Sequence, residues 1–128
     1  MQQLRGLQYA TELYLNMGYY NIRLSPANQY MTMIVTGFGE FRYNRLPMGM
    51  CASGDILQSK VDELIAYIKG VKTYSNDILV LIKGIFENHK DHLRIIFCRL
   101  HAAGLKFNAP KCRFGLNKIP YLGCVITR

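Results

Sequence analysis

Apolar residues at Leu57, Val61, Leu64, Ile65 and Ile68 recur at the spacing of one helical face. They predict a helix opened by Ser53 as cap, with Asp55 in its first turn, and stopped by Gly70. A second stripe, Leu93, Ile96, Phe97 and Leu100, predicts a helix from about Phe86 to Ala103, ended by Gly104. Elsewhere the pattern is that of strands. Tyr19–Leu24 alternates and runs into Ser25-Pro26; residues 30–46 read as a hairpin turning at Gly37-Phe38-Gly39; Leu105–Asn108 and Tyr121–Ile126 are short strands. Residues 71–75 and 78–82 are β-prone runs around Asn76-Asp77, which predicts a hairpin with Asp77 at its tip. Met1 to about Tyr9 carries no clear pattern. Hairpins segregated from two helices make an α+β domain: an antiparallel sheet with helices packed on one face.

With 128 residues, half of them hydrophobic, the chain is long enough for one domain with its own core. No apolar run approaches the roughly 20 residues of a membrane span, and the N-terminus lacks the layout of a signal peptide. The expectation is an intracellular protein with no membrane partner. Cys51, Cys98, Cys112 and Cys124 form no CxxC pair and read as reduced, small hydrophobic side chains.

The net charge of +8 is unevenly spread. Residues 1–82 hold 7 Lys/Arg against 6 Asp/Glu, whereas residues 83–128 hold 9 against 2. A basic half suits a polyanion, above all nucleic acid, and suits a solvated face equally well. Lys106, Lys111, Arg113 and Lys118 are the residues a phosphate backbone would meet. His89-x-x-His92 and Cys98-x-x-His101 have zinc-ligand spacing, but about 13 Å of helix separates His89 from Cys98, so both pairs read as ordinary helix surface. Tyr19, Tyr20, Phe38, Phe41 and Tyr43 have the chemistry to stack on bases, although alternating strand aromatics more often serve the core or the sheet surface.

Six stretches in register carry a resemblance: LNMGYYNIRLSP (15–26), FGEFRYNRLPMGM (38–50), TYSNDILV (73–80), HKDHLRIIFCRLHAAGLKFN (89–108), KCRFG (111–115) and YLGCVIT (121–127). Together they resemble the reverse-transcriptase palm of gypsy-type LTR retrotransposons, an RNA-directed DNA polymerase. The resemblance implies a single palm domain over residues 1–128, with the fingers mostly missing upstream and the thumb and RNase H absent. It implies Mg²⁺ or Mn²⁺ as cofactor, because nucleotidyl transfer in this family uses two divalent ions held by carboxylate oxygens. It also implies nucleic acid as partner.

The family's three metal-binding Asp positions fall on Tyr14, Asn76 and Asp77, and only Asp77 keeps its carboxylate. That departure predicts a degenerate, inactive copy holding no metal, or at most a weak site at Asp77. Asp77 also suits a plain turn residue, and Tyr14 a plain strand residue or a plug of the old site. The nucleotide-side loop, usually LPMGLxNAPxxFQ, reads LPMGMCASGDILQ: Ala52, Gly54 and Leu57 depart while Gln58 is kept. Tyr19 matches the aromatic beneath the incoming sugar, and Tyr121-Leu122-Gly123 matches the primer grip. Three functions fit these residues: an inert reverse-transcriptase fragment, a non-catalytic nucleic-acid-binding module, or an interaction subunit reusing the palm in a larger assembly.

Overall fold

The computed structural model describes residues 9–121 and 124–127. Its central strand, β1 (Tyr9–Asn16), begins where the unpatterned N-terminal stretch ends. β1 runs antiparallel to β5 (Asp77–Ile82), which pairs in turn with β4 (Val71–Tyr74). On its other edge β1 pairs with β6 (Lys106–Phe107) near its end and with β7 (Arg113–Leu116) near its start. The order is β4-β5-β1-β6, with β7 beside β6 along the same edge. Two separate hairpins, β2 (Ile34–Thr36) with β3 (Gly39–Phe41) and β8 (Lys118–Tyr121) with β9 (Cys124–Thr127), complete the strands.

One sheet face is covered by two helices, α2 (Ser53–Ile65) and α3 (Phe86–Ala102); α1 (Pro26–Gln29) is a single turn elsewhere. Leu13 and Leu15 from β1, with Ile78, Val80 and Ile82 from β5, pack on Leu57, Val61 and Ile65 of α2 and Ile96 and Leu100 of α3. The period of two in the strands and of about four in the helices brings these residues into one layer. The opposite face has a smaller cluster of Ala10, Leu79 and Ile119. The architecture is the expected α+β arrangement of an antiparallel sheet with helices on one face.

The C-terminus of α3 is closed by a Schellman motif: Gly104 (φ +77°) donates to the His101 carbonyl and Leu105 to the Leu100 carbonyl, at 2.9 Å each. The start of α2 differs from expectation. Ser53 lies within the helix, and its buried hydroxyl donates to the Pro47 carbonyl at 2.7 Å, tying the helix to the preceding loop. Nor does Gly70 stop α2, which ends at Ile65 with Ala66 extended. Gly70 (φ +76°) instead lets β4 approach β5, since a Cβ there would fall 2.2 Å from the Leu81 carbonyl oxygen.

The strand expected over residues 19–24 is replaced by a 3₁₀ turn, Tyr19–Asn21. Asn21 Nδ2 donates to the Met17 carbonyl at 3.0 Å, closing the chain on itself before it can extend. Only then does the backbone pair outward, with Leu46 N–H on the Ile22 carbonyl and Leu24 N–H on the Asn44 carbonyl. The hairpin expected over residues 30–46 is confined to β2 and β3, because residues 26–32 are helical turns.

Candidate metal face and nucleic-acid edge

The β4–β5 turn is one residue earlier than the pattern suggests. Tyr74 pairs with Asp77, so Ser75 and Asn76 make the turn and Asp77 is the first residue of β5 rather than its tip. Ser75, not Asn76 or Asp77, takes the positive φ, +54°, as the first central residue of a primed hairpin turn does.

The turn is braced from α2 and from the 3₁₀ turn. Ser75 N–H donates to Gln58 Oε1 at 2.7 Å, and Gln58 Nε2 donates to Thr73 Oγ1 at 2.7 Å and to Asp62 Oδ1 at 3.0 Å. Thr73 Oγ1 also donates to Asp62. The Tyr19 hydroxyl lies 3.2 Å from Ser75 Oγ. Both residues on the nucleotide side by resemblance, Tyr19 and Gln58, are therefore gathered at this turn. Gln58 in particular fixes where Asp77 begins.

Asn76 anchors the turn to β1 through its carbonyl, which accepts from Leu15 N–H at 2.8 Å. Its amide is turned over Gly18, where an added Cβ would fall 2.6 Å from Oδ1 and 3.3 Å from Leu57 Cδ1. That oxygen is buried and, among the described residues, has no hydrogen-bond partner. Gly18 is what admits the Asn76 side chain.

Asp77 stands directly opposite Tyr14 on β1 and Tyr74 on β4. Directly opposed residues share a sheet face, so the carboxylate is flanked by two phenols. Burial pushes the Asp77 carboxyl above the ordinary carboxylate value, and the Lys111 ammonium pulls it partly back. Lys111 Nζ lies 4.4 Å from the centre of the Tyr14 ring. Among the described residues, no three His, Cys, Asp or Glu side chains come together to hold a metal ion. One carboxylate between two phenols does not fit a two-ion centre, which needs several anionic oxygens.

Lys106, Lys111, Arg113 and Lys118 are all exposed. They follow one stretch of chain, from β6 through the 3₁₀ turn Ala109–Lys111 and the start of β7 to β8. Arg113 is engaged, its Nε 4.0 Å from Glu12 Oε2. Of the primer-grip residues, Tyr121 ends β8, while Leu122 and Gly123 lie outside the described residues. Phe38, Phe41 and Tyr43 are exposed, and Tyr19 and Tyr20 are half-buried.

His89 of the histidine pair on α3 is not plain helix surface. His89 is buried, with Nε2 2.7 Å from Thr11 Oγ1 and its ring against Tyr9 and Phe86. Thr11 Oγ1 also accepts from Gly115 N–H at 3.1 Å. This buried polar node joins β1, α3 and β7. The spacing His-x-x-His carries no hint of it, because an isolated polar residue among helical charges looks exposed until its partner strand is known.

Residues 1–126 match the family described as "Reverse transcriptase (RNA-dependent DNA polymerase)". The chain belongs to the reverse transcriptase family. It is 26% identical over 99% of its length to the retrovirus-related Pol polyprotein from transposon opus of Drosophila melanogaster, and 25% identical over its whole length to that from transposon gypsy of the same organism. It spans 13% and 12% of those relatives. The reverse transcriptase fold is evident in solved structures as well. A foamy viral protease–reverse transcriptase in complex with RNA/DNA hybrid superposes with a TM-score of 0.88 at 23% identity, over 98% of this chain and 17% of that one. The native prototype foamy virus protease–reverse transcriptase gives 0.83 at 26% identity, over 94% of this chain and 16% of that one. Reverse transcriptases generally use divalent metals.

Proposed function

We propose that this chain is the palm domain of a reverse transcriptase from an LTR retrotransposon and that it does not polymerise. The observation that carries this reading is the row Tyr14–Asp77–Tyr74. If Tyr14 and Asn76 occupy the family's other two Asp positions, the first offers a neutral phenol and the second an amide buried over Gly18. Neither supplies the anionic oxygen that Mg²⁺ or Mn²⁺ requires. On this reading residues 1–128 form a single palm domain. The test is primer extension on an RNA template with Mg²⁺ and, separately, Mn²⁺. The expected result is no extended product with either ion; template-dependent extension by the chain as it stands would refute the reading.

Nucleic-acid binding without catalysis is supported by the exposed cations Lys106, Lys111, Arg113 and Lys118 along one stretch of chain and by the +8 net charge. The partner proposed is an RNA/DNA hybrid, held through its phosphates, with Tyr121-Leu122-Gly123 as primer grip. Such binding weakens steeply with salt, by about 0.9 log units of affinity per log unit of salt for each phosphate contacted on duplex DNA. Replacing the four cations with Gln is expected to flatten that slope.

A further inference from the structure

Arg23 and Arg45 face each other across an isolated antiparallel bridge. The flanking hydrogen bonds, Leu46 N–H on the Ile22 carbonyl at 2.9 Å and Leu24 N–H on the Asn44 carbonyl at 3.1 Å, make them a non-hydrogen-bonded pair. In such a pair the two side chains leave the same face at their closest spacing. Like charges directly opposed destabilise a strand pair, and a guanidinium cannot shed its proton to relieve the repulsion. The bridge is nevertheless firmly built. Leu46, next to Arg45, is buried, and the Pro47 carbonyl after it accepts from the Ser53 hydroxyl at 2.7 Å. Arg45 is half-buried, and its Nη1 donates to the Asn21 carbonyl at 3.1 Å, which fixes one corner of the guanidinium.

Both arginines line a cavity of about 440 Å³ with Leu24, Pro26, Gln29 and Asn44, none of them acidic. Among the described residues, no carboxylate lies within 4.0 Å of either guanidinium. Glu63 shares a neighbouring cavity with Arg23 but is paired with Lys60 at 3.1 Å. The carboxamides of Gln29 and Asn44 add neutral donors to the wall, and Gln29 is steadied there by donating from Nε2 to the Leu24 carbonyl at 3.3 Å.

From this arrangement we infer that the Arg23–Arg45 bridge is a binding site for a phosphate group. Two planar forks on opposed strands each offer parallel N–H bonds to one tetrahedral oxyanion. The anion supplies the counter-charge between them, and their repulsion is relieved when it binds. The site uses none of the four C-terminal cations and stands whether or not the chain polymerises. The chemistry recognised is the same in free inorganic phosphate and in a phosphate of a nucleic-acid strand.

The test is a titration of inorganic phosphate into the whole chain at constant ionic strength, with chloride as control, followed by the arginine Nε–Hε and backbone amide NMR signals of wild type, Arg23→Gln and Arg23→Lys. Arg23 is exposed, so both variants are expected to fold as wild type does. Wild type is expected to show saturable shifts centred on Arg23 and Arg45 that chloride does not produce. Arg23→Gln is expected to bind phosphate on the order of tenfold more weakly, as loss of a charge-assisted hydrogen bond implies. Arg23→Lys should fall between, since it keeps the charge without the fork. A short oligothymidylate then assigns the source. If it displaces phosphate from these signals, the ligand is a strand's phosphate; if it leaves them unmoved, the ligand is free phosphate, and either result supports the site. No saturable shift in wild type, equal affinity in Arg23→Gln, or a response to poly-glutamate without one to phosphate would overturn the inference.

Discussion

The two faces of β1 are built to different standards. Toward the helices, Thr11, Leu13 and Leu15 are fully buried, each meeting a partner suited to it: apolar side chains for the leucines, His89 and the Gly115 amide for the threonine. On the other face, Glu12 and Tyr14 remain half-exposed and Asp77 has no carboxylate beside it across the sheet. The faces share a backbone, so whatever positions one positions the other. Packing that holds β1 against β5 also sets Tyr14 opposite Asp77, whether or not chemistry takes place there. The scaffold therefore stands on its helix-side packing, whatever groups the other face carries.

The largest expected difference between the faces is in stability. Leu15→Ala removes a fully buried side chain from the main core and is expected to cost about 2–5 kcal/mol, read by urea unfolding. A cost under 1 kcal/mol would mean the helix-side layer is not the main support. Next is Gln58→Ala, which takes away the acceptor for Ser75 N–H and two donated bonds. Its expected cost is about 1–2 kcal/mol, with the largest amide shift changes at residues 73–77.

A third difference depends on pH. Burial lowers the His89 pKa below 6.5, with nearby His92 adding to the effect. The folded state then resists a proton that the unfolded chain accepts. Stability should be fully present above about pH 6.5 and decline as pH falls through the folded value, and His89→Gln should flatten that decline. Asp77 has the opposite sign. Its raised pKa contributes stability that is fully present below 3.8 and lost as pH rises through the folded value, so Asp77→Asn should improve stability at neutral pH. Thermal unfolding across pH 3–8 of wild type and both variants separates the two. The smallest effect is expected from Tyr14→Phe. The ring faces Lys111 and, among the described residues, the hydroxyl makes no hydrogen bond, so stability should change by less than about 0.5 kcal/mol.

Much of this was legible in the amino-acid pattern, for physical reasons. α3 and its Gly104 stop, the β4–β5 hairpin and the helix-side stripe of α2 follow from local periodicity and from the one residue type that tolerates a left-handed cap. β1 was not legible. Its alternation, Thr11, Leu13, Leu15, is short, and its status as central strand depends on partners at residues 77–82 and 106–116. The turn register was off by one because Asn-Asp is good turn chemistry, whereas Gln58, seventeen residues away, holds Ser75 N–H. At the candidate site, Tyr14, Asn76 and Asp77 could be named from the resemblance. The Lys111 contact, the burial of Asn76 Oδ1 over Gly18 and the His89–Thr11 node could not, since each joins side chains far apart in the chain.

The most direct test of the central claim, a kept scaffold without its metal centre, is calorimetric titration of Mg²⁺ into wild type and into the Tyr14→Asp/Asn76→Asp double variant, with circular dichroism confirming that both are folded. The account predicts no saturable heat for wild type and saturable binding for the folded double variant. Saturable binding by wild type, or a folded double variant that still binds no Mg²⁺, would contradict it.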